Sequence, residues 1–326
     1  MGYDIEAAWQ INDFCNFDCV YCWLHNKDWS KRKRFIGQDN TQKVLDGFDR
    51  TGIKWLIHMS GGEPFFFPNF IKLCQRLTKN NFISINTNLS HKDTFRFAEL
   101  IAPERVNFIH CSLHIQQRKK TKEINDFISK YQFLQKRGFN IFASYLMYPH
   151  LISRFKKAYA RFKSEGIILK PKVFWGNCTR FRILDSIIFK RVRRFFGRRY
   201  PDGYTDKQKI LIKSYMDTGN TYGGQYKTQA QGFREQTVDL TLDRNWIDKL
   251  PSFKGQLCRA GKNFVKMDQD GKVFRCNDEP QHYLGNLFNS NIKLFDKTTE
   301  CSSDICSCPY VGYRYANAAH RKLNQQ

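Results

Sequence analysis

The sequence predicts an α/β fold: an open, partial (β/α)6 barrel, then a basic stretch, then a smaller C-terminal unit built around a β-hairpin. Three observations predict it. Short apolar segments recur at roughly thirty-residue spacing from residue 5 to about residue 175. Polar segments with helical periodicity separate them. Near residue 176 this rhythm stops, and Arg, Lys, Gly, Tyr and Gln take over the composition.

The predicted strands are "IEAAWQI", "IKWLIHMS", "FISINT", "VNFIHCSLH", "FNIFASYLMY" and "IILKPKVF". In the first helical segment, "NTQKVLDGFDRTG", Val44, Leu45 and Phe48 share a face and Gly52 ends the helix. "FIKLCQRLTKN", "KDTFRFAELI" and "NDFISKYQFLQKRG" follow the same rule. Strand–helix units imply parallel pairing with right-handed crossovers. Six units fall two short of a closed eightfold barrel, so the TIM-like barrel is open, with its chemistry at the C-terminal strand ends. Residues 1–175 are assigned to this barrel, 176–250 to a basic linker or substrate-covering region, and 251–326 to the C-terminal unit. Within the middle region, "RFRILDSIIFKRVRRFFGRR" places Leu184, Ile188, Val192 and Phe195 near helical spacing. It reads as a helix docked on the barrel, with a basic interfacial helix as the alternative. "MDQDGKVFRC" reads as a hairpin turning at Asp270-Gly271.

Composition narrows the class. Of 326 residues, 41% are hydrophobic and 15% aromatic, enough for a sizeable core and against wholesale disorder. No charge-free apolar run is long enough to cross a bilayer. "MGYDIEAAWQ" lacks a basic region followed by an apolar core, so a cytoplasmic protein with reduced thiols is expected. Eleven clustered cysteines then point to metal binding rather than disulfides. The net charge is +24, and residues 151–200 hold 15 Lys/Arg against 2 Asp/Glu. Such a sector is either a solvated basic face or a site for something anionic, such as a phosphorylated sugar, a nucleotide conjugate, nucleic acid or acidic lipid.

"CNFDCVYC" follows the first strand, so Cys15, Cys19 and Cys22 lie at the catalytic end of the barrel. Three thiolates from one loop can hold three irons of a 4Fe–4S cube and leave the fourth open for a substrate or cosubstrate. A structural zinc knuckle, with His25 as fourth ligand, is the competing reading. The second strand ends in "HMSGGEPFFFP", where glycines allow close backbone approach and Glu63 can pair with an ammonium group.

The two motifs, one β–α unit apart, together resemble the radical S-adenosylmethionine (radical SAM) superfamily. The resemblance covers residues 5 to about 175. It implies that Cys15, Cys19 and Cys22 hold the cluster and that SAM chelates the open iron. It implies that Tyr21 lies against the adenine, and that Gly61, Gly62 and Glu63 contact the methionine moiety. It suggests Asn86 and Asn88, in "INTNL", as ribose contacts, with ordinary loop polarity as the alternative. The implied chemistry is reductive cleavage of SAM and abstraction of a hydrogen atom from substrate. A flavodoxin- or ferredoxin-type electron donor goes with it.

Further on, the C-x12-G-x4-C pattern of Cys258, Gly271 and Cys276, then "GNLF" and Cys301, Cys306 and Cys308, is similar to the SPASM/twitch extension of that superfamily. By spacing alone zinc fits as well. The resemblance implies one auxiliary 4Fe–4S cluster on Cys258 and Cys276, with Cys306 and Cys308 favoured over Cys301. Cys74 and Cys111 read as core residues. Cys178 and Cys301 are candidate hydrogen-atom donors. His114, Lys170, Lys172 and Arg180 are candidate contacts for an anionic substrate or, equally, solvated or structurally paired side chains.

Three functions follow. The first is a radical SAM oxidoreductase or epimerase acting on a small polar, anionic sugar or nucleotide-sugar. The second is a peptide maturase forming a crosslink, thioether or D-residue. The third is a zinc-bearing RNA-binding protein, with Phe195, Phe196 and Tyr200 among its basic residues. Nucleic-acid and membrane contact are not favoured.

Overall fold

The computed structural model describes residues 2–22, 38–118, 121–179, 196–221, 229–231, 237–239, 247–248, 252–289, 291–304 and 306. His25, Arg180, Leu184, Ile188, Val192, Phe195 and Cys308 lie outside the described residues.

The predicted strand–helix order is present. β1 (Ile5–Asn12), β2 (Trp55–Gly61), β3 (Phe82–Thr87), β4 (Val106–Ser112), β5 (Ile141–Leu146) and β6 (Leu169–Lys172) pair in sequence, all parallel. Helices α1 (Gln38–Arg50), α2 (Phe70–Asn80), α3 (Thr94–Leu100), α4 (Thr121–Lys136) and α5 (Ile152–Ser164) provide the crossovers. α1 stops where expected. Thr51 Oγ1 donates to the Phe48 carbonyl at 2.7 Å, and Gly52 takes φ +61°.

Alternation along each strand divides the sheet into two unlike faces. Ile5, Ala7, Trp9 and Ile11 of β1 lie on one, with Ile57, Met59, Ile83, Ile85, Ile109, Cys111, Ala143 and Tyr145 of its neighbours. They pack in one core with Leu73, Cys74 and Leu77 of α2, Phe127 and Tyr131 of α4, and Phe155 and Phe162 of α5. Fully burying such a side chain is worth about 1.5–3 kcal/mol, so this face holds the sheet to its helices. Cys74 and Cys111 are 0% exposed there. The other face carries Glu6, Gln10, His58, Ser84, His110, Ser144 and Lys170, all buried, with half-buried Asn86 among them.

The expected C-terminal hairpin forms between β12 (Phe264–Met267) and β13 (Lys272–Phe274), turning at Gly271 with φ +79°. A Cβ on Gly271 would lie 2.5 Å from the Phe288 ring, so the turn requires glycine twice over. The hairpin does not stand apart. β12 pairs parallel with β1, and β14 (Tyr283–Asn286) extends β13, giving one nine-stranded sheet in the order β14-β13-β12-β1-β2-β3-β4-β5-β6. A β1 left at the edge would present unpaired backbone groups, and β12 covers them. Trp9 Nε1 closes the seam by donating to the Asp268 carbonyl at 3.2 Å.

Candidate functional site

The chain leaves β1 and immediately meets the end of β2. Gly62 N–H donates to the Asn12 carbonyl at 2.9 Å, and Glu63 N–H to the Phe14 carbonyl at 2.7 Å. A Cβ on Gly61 would sit 2.2 Å from Asn12 O, and one on Gly62 1.8 Å from Phe14 O. These glycines therefore let β2 press against the root of the cysteine loop. Glu63 is fully buried. Its carboxylate accepts from Thr87 Oγ1 at 2.6 Å, from Asn88 N–H at 2.6 Å and from Phe65 N–H at 3.3 Å, joining β2 to the end of β3. Burial pushes this carboxyl up to about 7 against those donors.

The loop brings its three thiols into mutual electrostatic range. Cys19 is 5% exposed, and Cys15 and Cys22 are half-buried. Burial pushes the Cys15 thiol up to about 12, a charge on Cys22 would raise it further, and Phe17 N–H and the Asn88 amide oppose the rise. Cys19 is raised too, by burial first. Three thiolates on one largely buried loop need positive charge among them, which an iron cluster supplies. The donor set thus fits a three-thiolate cluster. Among the described residues, no three Cys, His, Asp or Glu side chains converge as a single ion requires. Thiolates on separate irons of a cube need not converge in that way.

Residues after β3 and β4 fasten the loop. Asn88, 4% exposed, directs its amide Nδ2 at Cys15 Sγ (3.7 Å) and Asn16 Oδ1 (3.0 Å). Asn16 Nδ2 donates to Ser90 Oγ at 2.9 Å. Gln117 accepts from Asp18 N–H and donates to the Asp18 carbonyl, both at 3.1 Å. Arg118 is 3% exposed and donates to the carbonyls of Leu113, Glu123 and Asn88. Its guanidinium also stacks over Phe17 and Phe127. Burial lowers its pKa to about 10.

Tyr21 lies 3.2 Å from His114 Nδ1 through its hydroxyl and stacks on that ring at 5.8 Å. Tyr148 lies 5.2 Å away on the ring. His114 holds φ +45°, a strained value for a non-glycine residue. Burial, aided by Arg118 and Lys172, lowers its pKa to about 3, so it stays neutral.

The polar sheet face carries two relays. Glu6 Oε2 meets His58 Nε2 at 3.0 Å, and His58 Nδ1 meets Ser84. Asn86 Oδ1 meets His110 Nδ1 at 3.0 Å, and His110 Nε2 meets Ser144 Oγ at 2.7 Å. An amide oxygen only accepts, so Nδ1 of His110 carries the proton and Ser144 donates to Nε2. Lys170 stands opposite Ser144 in the register. Asn86 thus serves this relay, and Asn88 the cysteine loop.

Cys258, 6% exposed, and Cys301, 8% exposed, cluster with Phe108, Phe142, Phe253 and Phe264, and Cys276 and Cys306 pack on that cluster. β11 (Leu257–Cys258) and β15 (Thr299–Glu300) bring the first pair together. Cys301 thus lies on the same aromatic cluster as Cys258 and Cys306, while Cys308 lies outside the described residues. Cys178, a candidate hydrogen-atom donor, is 2% exposed in the main core, at the pairing of β7 (Gly176–Cys178) with β8 (Arg198–Tyr200). No disulfide joins any of the ten described cysteines. Gln117 and Arg118 were not singled out from the sequence. The signal for them was position, since both follow the C-terminal end of a barrel strand.

Residues 9–162, from β1 into α5, match the family description "Radical SAM superfamily". The protein carries a radical SAM domain. The family uses a 4Fe–4S cluster and SAM, and this replaces the zinc-bearing reading for these residues. GTP 3′,8-cyclase of Ectopseudomonas mendocina (strain ymp) is 30% identical over 116 residues, 34% of this chain and 33% of that protein. GTP 3′,8-cyclase of Rhizobium leguminosarum bv. trifolii (strain WSM2304) is 27% identical over 119 residues, 35% of this chain and 33% of that protein. The chain thus matches about a third of the length of these curated relatives. Native anSMEcpe with bound AdoMet shares the fold with a TM-score of 0.55 and 15% identity, over 87% of this chain and 78% of that one. SuiB of Streptococcus suis bound to S-adenosylmethionine shares it with a TM-score of 0.52 and 14% identity, over 89% and 64%. The fold shared with these structures therefore extends well past the matched residues. Among the described residues, no helix is long and apolar enough to cross a membrane.

Proposed function

We propose that Cys15, Cys19 and Cys22 hold the SAM-binding 4Fe–4S cluster, and that the protein takes a hydrogen atom from a small anionic substrate of the nucleotide or nucleotide-sugar class. When bound, the cluster and SAM supply hydrogen-atom abstraction from an unreactive carbon. One observation carries the reading: three thiols of one loop are gathered at the C-terminal end of β1 and fastened by residues following β2, β3 and β4.

The remaining roles belong to this chain's own residues. Gly61, Gly62 and Glu63 shape the seat for the methionine moiety, and Tyr21, with His114 behind it, flanks the adenine. Asn86 holds His110 in one tautomer toward the barrel interior. Lys170 and Lys172, on β6, supply positive charge for the substrate's anionic group. The +24 net charge supports an anionic substrate, as does the resemblance to GTP 3′,8-cyclases, whose name gives a nucleotide substrate. Cys258, Cys276, Cys301 and Cys306 hold a second, auxiliary 4Fe–4S cluster, supported by their gathering on one aromatic cluster. An electron donor of flavodoxin or ferredoxin type and a cytoplasmic location complete the reading.

A peptide substrate is the second reading. It is favoured by the fold shared with anSMEcpe, which has been solved with AdoMet and the Cp18Cys peptide at a TM-score of 0.55 and 15% identity.

Iron analysis and ligand binding test both. Anaerobically reconstituted protein should hold about eight irons per chain, and Cys276→Ser about four. With SAM bound, GTP should bind with an affinity that falls as salt rises. Four irons in both proteins would remove the auxiliary cluster. Salt-independent binding of a peptide, with no binding of GTP, would favour the second reading.

A further inference from the structure

We infer that Asn88 tunes the reduction potential of the cluster held by Cys15, Cys19 and Cys22, by donating a hydrogen bond to Cys15 Sγ. The inference rests on the cysteine assignment proposed above and adds to it a role for a side chain outside the cysteine loop.

The geometry settles which end of the Asn88 amide faces the sulfur. Its Oδ1 receives the Ser90 backbone N–H at 2.9 Å. A backbone N–H can only donate, so the other terminal atom is the nitrogen. That nitrogen has two hydrogens and two acceptors in reach, Asn16 Oδ1 at 3.0 Å and Cys15 Sγ at 3.7 Å. Asn16 Nδ2 donates to Ser90 Oγ, which leaves its own oxygen to accept from Asn88.

The backbone of Asn88 is equally constrained. Its N–H is held by Glu63 Oε2 at 2.6 Å, and its carbonyl receives Arg118. Both anchors are buried, Glu63 at 0% and Arg118 at 3% exposure. The donor is therefore preorganised before any cluster arrives. Phe17 N–H, 3.4 Å from the same sulfur, adds a second dipole from within the loop.

Reduction adds negative charge to the cluster and its thiolates. A donor aimed at a ligand sulfur stabilises the reduced form more than the oxidised form and raises the potential. Asn88 thus eases the uptake of the electron that SAM cleavage needs. A residue that merely fastens the loop would change how much cluster the protein holds, but not the potential of the cluster that forms.

The test uses reconstituted full-length protein, redox titration monitored by electron paramagnetic resonance, and the signal that changes when SAM is added. Asn88→Leu removes the donor. Asn88→Asp keeps the shape and the acceptor for Ser90 while placing a carboxylate near the sulfur. Asn88→Leu should shift the reduction equilibrium about tenfold toward the oxidised cluster, ~59 mV more negative for a one-electron couple. Asn88→Asp should shift it further the same way. An unchanged potential in a variant that keeps its SAM-responsive signal overturns the tuning alone. Loss of the cluster from both variants also overturns it, making Asn88 a structural residue. If the unsubstituted protein shows no SAM-responsive signal, the cysteine assignment itself fails and the tuning falls with it.

Discussion

Gln117 and Asp18, ninety-nine positions apart, exchange two hydrogen bonds of 3.1 Å, with the Gln117 amide reading both backbone polar groups of Asp18. This pins the middle of the cysteine loop to the end of β4. Each such bond is worth about 1 kcal/mol. Gln117→Ala should therefore leave global stability nearly intact but loosen the loop. Iron incorporation should fall, and in cluster-free protein the loop thiols should react faster with an alkylating reagent. Equal iron content and equal alkylation rates would show that the clamp is not needed.

Two glycines separate strain from collision. A Cβ at Gly62 would approach Phe14 O to 1.8 Å, a backbone atom that cannot swing aside. Gly62→Ala should therefore displace the cysteine loop, abolishing cluster binding. At Gly52, φ is +61° and an added methyl would meet open space, so Gly52→Ala costs only the left-handed backbone, about 1–2 kcal/mol. Thermal unfolding should show a loss of about 1.5–3 °C, with iron content unchanged.

Arg118 holds three carbonyls from one buried position, those of Leu113, Glu123 and Asn88. Arg118→Ala strands those acceptors at about 1–3 kcal/mol each where burial denies them water. Chemical denaturation should show a loss of at least about 3 kcal/mol. Arg118→Lys should recover little, since an ammonium lacks the planar fork that reaches several carbonyls at once. Full recovery by lysine would contradict this role.

Asp268 gives a pH signature in the C-terminal hairpin. Its Oδ1 accepts from the N–H groups of Asp270 and Lys272 at 2.9 and 3.0 Å, forming the hairpin turn. Burial nevertheless raises its pKa, with those two N–H groups pulling the other way. A carboxyl whose folded pKa lies above the unfolded value disfavours folding once it ionises. Asp268→Asn keeps the acceptor and sheds the charge. It should be more stable than the parent above the raised pKa, and the advantage should vanish as pH falls below the ordinary aspartate range. Denaturation curves across that range check it. A variant that is less stable near neutral pH would show that the charge-assisted bonds outweigh the burial cost.

Much of this arrangement was legible in the sequence because it is local. Six strands and their helices follow from periodicity, and the cysteine loop follows from its place after "IEAAWQI". The remainder depends on contacts between distant residues. Nothing near "NFVKM" indicates that β12 pairs with β1, because parallel pairing at that separation leaves no local pattern. Asn88 was identified as a site residue, but its orientation depends on Ser90, Asn16 and Glu63 together. Arg118 was missed because its partners are backbone carbonyls, which any sequence supplies. That Cys301 lies with Cys258 depends on the β11–β15 pairing, which cysteine spacing does not reveal.

The most direct test of the central claim is 5′-deoxyadenosine release. Anaerobically reconstituted protein, given dithionite and SAM, should release it, and Cys19→Ala should abolish the release. Undiminished release from Cys19→Ala, or none from the unsubstituted protein with its iron in place, would contradict the assignment of the loop.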